Sequence, residues 1–185
     1  MIDEKGAVAA LKEAWRKGGY RFVYSNGILS VRAEGWGIQG ALENVPAKVL
    51  GLIAEHFGSF PEDGDAFELK KGAAEQSVMY DQEATWWDAV RQLFDGEHAD
   101  MRQTPLTLNY WEIWQEQREL RTALVDPARS RIIENNYRQQ AAIVPGKTGT
   151  LLWKSMGGTI AYVQADPAAD PAKTARLDGF PWCGE

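Results

Sequence analysis

The 185-residue sequence has one cysteine, Cys183, and two histidines, His56 and His98. A lone thiol cannot close an intrachain disulfide, and two imidazoles offer little for a histidine-rich metal site. No apolar run approaches the roughly 20 residues that cross a bilayer as a helix. Met1, Ile2, Asp3 and Glu4 place acids where a secretory signal carries a basic n-region, so a cytoplasmic protein is expected. Cations are also in the minority, with 20 Lys and Arg against 26 Asp and Glu, a net charge of −6 and a pI near 5.1. A binder of nucleic-acid backbone must neutralise phosphates, so that class is disfavoured and confined at most to the arginine-rich segment after residue 101.

Several strings imitate catalytic motifs without their context. Residues 141–148 read A-x-x-x-x-G-K-T, the loose form of a phosphate-binding loop. That chemistry needs a buried strand before the loop and a helix N-terminus after it. Here residues 134–140 are polar and 149–153 are strand-like, so a hairpin turn is expected instead. Lys147-Thr148-Gly149 repeats the K-T-G triplet of serine penicillin-recognising enzymes, but no serine in the chain has lysine three positions on, so the activated nucleophile is missing. Asp63-Gly64-Asp65 lacks the ligand order of a calcium loop. Glu97, His98 and Asp100 cannot all aim at one ion unless their loop curls, and a solvated acidic loop is the expectation. No cofactor, metal or catalytic residue is assigned.

What the chain does contain is a clear structural pattern. Hydrophobic residues make up 44% and charged residues 25%, an ordinary globular balance. Val8, Leu11 and Trp15 recur at helical spacing over 3–17, and Gly18-Gly19 supply the stop. Asn26-Gly27, the favoured pair for a type I′ turn, lies between two β-branched and aromatic runs. The turn sets Tyr24 against Leu29, Phe22 against Val31 and Tyr20 against Ala33, leaving Arg21, Ser30 and Arg32 on the opposite face. A third strand over 36–41 can follow. A helix capped by Asn44 is expected to end at Gly58, and a loose hairpin around Gly72 precedes a helix from Asp81 to about Phe94, with Trp86, Val90 and Leu93 or Phe94 inward. Residues 109–144 read better as two helices than as strands, because Tyr110, Ile113, Leu120 and Leu124 keep helical spacing once Gln117 is accepted, and Asp126-Pro127 makes a helix start. A final hairpin is expected over 150–154 and 159–164. The expectation is a single α+β domain over residues 1–164, an antiparallel sheet with helices packed on it. An extended C-terminal tail follows over 165–185, anchored by Phe180 and Trp182 on the body or a neighbour.

Two features point to function. Eight tryptophans stand at 15, 36, 86, 87, 111, 114, 153 and 182, and adjacent Trp86 and Trp87 cannot share one buried helical stripe, since neighbours lie about 100° apart. Charge is also segregated: residues 54–100 carry twelve acids and three bases, while 101–154 carry five acids and eight bases. The combination suggests a non-enzymatic protein-binding module of inhibitor or immunity type, in which Glu62, Asp63, Asp65, Trp86, Trp87 and Asp88 form an acidic, tryptophan-bearing face for a basic partner. Arg118, Arg121, Arg129, Arg131 and Arg138 would suit self-association with that face. The alternative is a small-molecule-binding or hydrolytic protein with a pocket between sheet and helices, using Glu97 and Asp100 near His98.

Overall fold

In the computed structural model, residues 1–146 and 149–165 are described. Helix α1 (Glu4–Lys17) leads into three consecutive strands, β1 (Tyr20–Ser25), β2 (Ile28–Ala33) and β3 (Trp36–Ala41). A 3₁₀ turn (Leu42–Asn44) precedes α2 (Ala47–Phe57), then come β4 (Ala66–Leu69), the two-residue β5 (Gln76–Ser77) and α3 (Tyr80–Gln92). The second half runs β6 (Ala99–Leu108), β7 (Trp111–Glu116), β8 (Thr122–Val125), the single-turn helices α4 (Pro127–Ser130) and α5 (Asn135–Arg138), β9 (Gln140–Ile143), β10 (Thr150–Lys154) and β11 (Ile160–Gln164). Among the described residues all eleven strands join one sheet, ordered β5-β4-β1-β2-β3-β11-β10-β9-β6-β7-β8, with every pairing antiparallel. The α+β class is as expected.

The first hairpin forms as its turn dictates. Asn26 and Gly27 both take positive φ, 51° and 75°, and Tyr24 pairs with Leu29 and Phe22 with Val31. Strand alternation then separates two faces. Tyr20, Phe22, Leu29, Val31, Trp36 and Ile38 enter the main core with Ala7 and Leu11 of α1, Val49 and Ile53 of α2, and Trp114 and Val125 from the far half of the sheet. Residues from both halves of the eleven-stranded sheet thus belong to one continuous core. The N-terminus closes the packing: Ile2 bridges Ile133, and Asp3 N–H donates to the Ile132 carbonyl at 2.8 Å.

The helical pair expected over 109–144 is not formed. Residues 111–116 and 122–125 are strands, and only the starts at Asp126-Pro127 and Asn135 become helical, for four residues each. The apparent helical period depended on Gln117, which lies in the turn between β7 and β8. Both faces of these strands are buried, so the segment shows no alternation of polar and apolar residues. Trp114 is fully buried, its indole N–H donates to Glu112 Oε2 at 3.0 Å, and its ring meets the Trp153 edge at 5.9 Å. Two smaller boundaries also differ: α2 is preceded by Pro46 without a side-chain cap, and α3 starts at Tyr80, one residue before the expected cap. Phe180, Trp182 and Cys183, with the rest of the tail after Ala165, and Lys147-Thr148 of the phosphate-loop imitation lie outside the described residues.

His56 is packed between elements. Its ring stacks on Trp15 at 3.9 Å and 14°, and Nδ1 lies 3.0 Å from the Tyr20 hydroxyl, so one imidazole joins α1, α2 and β1. Burial holds its pKa below the ordinary 6.5, opposed by Glu55 and aided by Lys12. A base with a depressed folded pKa gives stability that is complete above its unfolded value and is lost as pH falls below it. The melting temperature is therefore expected to fall between pH 7.5 and pH 5 more steeply in the wild type than in His56→Gln, and identical slopes would remove this contact from the account. A second expectation runs against helix propensity. Gly6→Ala in an exposed helix gains about 1 kcal/mol, but a Cβ on Gly6 would stand 1.8 Å from the Arg131 carbonyl oxygen. Urea unfolding should show a loss of about 2 kcal/mol from this overpacking; a stabilised variant would contradict the α1 docking.

Candidate functional site

The second face of the sheet carries Arg21 and Arg32 directly opposite one another on β1 and β2. Two guanidiniums at cross-strand positions repel unless an anion is shared between them. Helix α3 supplies it. Its buried positions Glu83, Trp87 and Val90 fall at intervals of four and three, one stripe of the helix. Glu83 Oε1 accepts from Arg21 Nη1 at 2.9 Å and Arg32 Nη2 at 2.7 Å, and Oε2 accepts from Arg32 Nε at 2.7 Å. Arg21 Nε is held in turn by Glu68 Oε2 at 2.6 Å. Burial opposes ionisation of Glu83, yet the hydrogen bonds and charges of Arg32 and Arg21 outweigh it, and the carboxyl stays below the usual 4.5. Farther along, Arg91 Nε donates to Gln39 Oε1 at 2.9 Å and Gln39 Nε2 to Ser30 Oγ at 2.6 Å, so the polar residues of this face are linked through to the helix.

Beside this clamp lies a smaller apolar cluster of Trp87, Val90, Leu152, Ile160 and Tyr162. Gly37 makes it possible, because a Cβ there would fall 2.5 Å from the Tyr162 ring and 3.0 Å from Trp87. Burial pushes the Tyr162 phenol up to about 12, so it remains neutral. The two adjacent tryptophans separate. Trp87 is only 2% exposed and fills this cluster, whereas Trp86 is 37% exposed. The Trp86 ring lies 4.5 Å from the Arg32 guanidinium carbon and 6.3 Å from Tyr162. Asp81 and Asp88, seven residues apart, share an exposed side of the helix roughly 150° round from Trp86, and exposed Met79 is the N-cap residue that precedes the first turn.

The six residues expected to form one partner-binding face are thus divided. Trp86 and Asp88 stand on the outer surface of α3, Asp88 paired with Arg91 at 2.6 Å. Two expectations are corrected here, because the inward stripe runs through 83, 87 and 90: Trp87 belongs to the core behind the helix and not to the face, and Trp86, expected inward, is the exposed one. Glu62, Asp63 and Asp65 sit in the loop before β4, beside the first hairpin turn. There Asp63 Oδ1 accepts from Asn26 N–H at 2.6 Å and Asp65 Oδ2 from Glu62 N–H at 2.7 Å, which commits two of these acids to holding the loop. Glu97, His98 and Asp100 are not assembled either. Glu97 turns to Arg118 and His98 to the Leu93 carbonyl, while Asp100 lies exposed on β6.

Among the described residues no group of three or more His, Cys, Asp or Glu is placed to hold a metal ion. A cleft of about 260 Å³ between the end of α1, the β2–β3 turn and α4 is lined by Glu13, Lys17, Glu34, Asp126 and Arg129, and by none of Glu97, His98 or Asp100. The element that sequence reasoning missed is Glu83. Its signal was present as two arginines on one face of an otherwise apolar hairpin, which demand a carboxylate from elsewhere. Comparison with protein-family models, curated proteins and solved structures finds no match, so the functional reading rests on the surface itself.

Removing one partner of a buried pair leaves uncompensated charge, typically a loss of 3–5 kcal/mol, whereas an exposed pair is worth about 1 kcal/mol or less. Glu83→Ala is expected to cost about 3 kcal/mol, because Arg21 and Arg32 keep partial access to water. Glu68→Ala should cost no more than about 1 kcal/mol. Urea unfolding of both variants checks this, and equal losses would mean that Glu83 is not the residue that seats α3.

Proposed function

We propose that the chain is a non-enzymatic protein-binding module that docks a basic partner on the outer face of α3. The observation that carries this reading is the separation of Trp86 from Trp87. One indole anchors the helix to the sheet, and the other is presented on the surface with its orientation held by Arg32, itself pinned by Glu83. A large aromatic that is already ordered loses little rotamer entropy on binding, which is what makes such residues anchors. Exposed Met79 adds apolar surface at the start of α3, and Asp81 and Asp88 charge the side of the helix turned away from Trp86, from which they act on a partner through their field. The acid excess of residues 54–100 supplies the field that steers a cationic partner toward it.

A display library of basic, aromatic-containing helical peptides, selected against the folded chain, tests the reading. Trp86→Ala should weaken the selected peptides by about 30-fold, the equivalent of about 2 kcal/mol, mainly by faster dissociation. Asp81→Asn with Asp88→Asn should slow association, and the slowing should fade as salt shortens the screening length. Peptides that bind Trp86→Ala as tightly as wild type, when that variant melts normally, would place any binding function elsewhere.

A further inference from the structure

The excess cations of residues 101–154 are not spread evenly. Arg118 is paired with Glu97 and Arg121 with Glu119. Arg102, Arg131 and Lys5 have no carboxylate partner among the described residues, and with Arg138 they line two adjoining clefts that share Asn135 and Arg138. The acid that lines this pair of clefts is Asp3, and its Oδ1 is committed to Gly6 N–H at 2.6 Å.

The larger cleft, about 740 Å³, has an irregular strand at its centre. Arg102 stands opposite Gln140 in the β6–β9 ladder, and Gln103 N–H continues it to the Gln139 carbonyl at 3.0 Å. β6 then loses register with β7 between Gln103 and Thr107, and the departing Thr104 and Pro105 form one wall. Strand irregularities of this kind re-aim side chains and are common beside binding sites. α5 forms the facing wall and brings in Arg138, whose Nη2 donates to Asn135 Oδ1 at 3.0 Å while its Nε is buried with no acceptor among the described residues. A guanidinium left under-satisfied in this way is costly, and a nearby anion offsets that cost.

We propose that the groove between β6 and α5 binds a small phosphate-bearing anion, with Arg102 and Arg138 as its two guanidinium contacts. Arginine forks match phosphate oxygens, and the side-chain amides of Gln103, Asn135 and Gln140 are positioned along the same groove to bond the rest of a polar ligand. Among the described residues the groove is lined by no aromatic side chain on which a nucleobase would stack, so a small anion fits better than a single-stranded nucleic acid. None of these residues lies on α3, and the inference stands apart from the protein-binding reading.

Inorganic pyrophosphate is the probe, titrated calorimetrically at constant ionic strength set with sodium chloride. Saturable one-to-one binding is expected, weakened about tenfold or more by Arg102→Gln and by Arg138→Gln and unchanged in Arg118→Gln. Should Arg138→Gln fail to fold, Arg102→Gln, whose side chain is exposed, carries the test. Three results would overturn the proposal. The first is absent binding, or binding lost equally in Arg118→Gln. The second is tighter, steeply salt-dependent binding of a short oligothymidylate through the same arginines, which would assign the groove to nucleic acid. The third is self-association that Arg102→Gln abolishes and pyrophosphate reverses, which would assign it to a second copy of the chain.

Discussion

Arg21 and Arg32 face each other on one side of a hairpin whose other side is apolar, and a single carboxylate, Glu83, neutralises both. Much of the second layer follows from that constraint. The carboxylate has to come from a helix lying over β1 and β2, which fixes where α3 begins. The helical period then sends Trp87 and Val90 down onto β10 and β11, where Gly37 leaves room for the indole. The same rotation turns Trp86 outward over Arg32. A buried ion pair of this kind is weak evidence for net stability, since apolar residues of similar volume often do as well, but it specifies one seat for the helix. An unpaired slip of α3 along the sheet would strand two guanidiniums and a carboxylate.

The first layer follows a different logic. Its face of the sheet is apolar from Tyr20 to Val163, and α1 and α2 cover it with small and aliphatic residues. Ala7, Ala10 and Gly6 let α1 approach closely enough for its backbone to meet the turn after α4. Strands β3, β10 and β11 at the centre of the sheet are buried on both sides, and the risk of further pairing lies at the two edges. They are short, two residues in β5 and four in β8, which is a common protection against edge-to-edge association.

These two logics explain which parts of the fold were legible in the sequence. The Asn26-Gly27 hairpin was readable because turn chemistry and a two-residue period agree there, and the last hairpin because two short apolar runs flank a Gly157-Gly158 turn. Residues 111–116 were not, because Glu112, Trp114 and Glu116 are buried on one face and Ile113 and Gln115 on the other. With polar and apolar residues buried on both sides, alternation vanishes from the hydrophobic pattern, and the spacing of Tyr110, Ile113, Leu120 and Leu124 imitates a helix. The separation of Trp86 and Trp87 was readable as a geometric necessity. Which of them faces inward was not, since that depends on Glu83 meeting two arginines some 50 and 60 residues earlier in the chain. Asp63 and Asp65 looked like surface charge because their acceptor roles are to backbone N–H groups, for which sequence holds no mark.

Charge segregation along the chain has become sorting in space. The acids of residues 54–100 surround α3 and its neighbouring loops, while Arg118 and Arg121 are paired and Arg102, Arg131 and Arg138 line two adjoining clefts. Presentation of Trp86 depends on the Glu83 clamp holding α3 rigidly in place. Hydrogen exchange followed by mass spectrometry tests that claim directly, comparing the wild type with Arg32→Gln. The account predicts that the amides of α3 around Glu83 and Trp87 are protected in the wild type. They should lose about tenfold or more of that protection in the variant, while α1 and the rest of the first hairpin keep theirs. Rapid exchange of α3 in the wild type, or protection unchanged by Arg32→Gln, would contradict it.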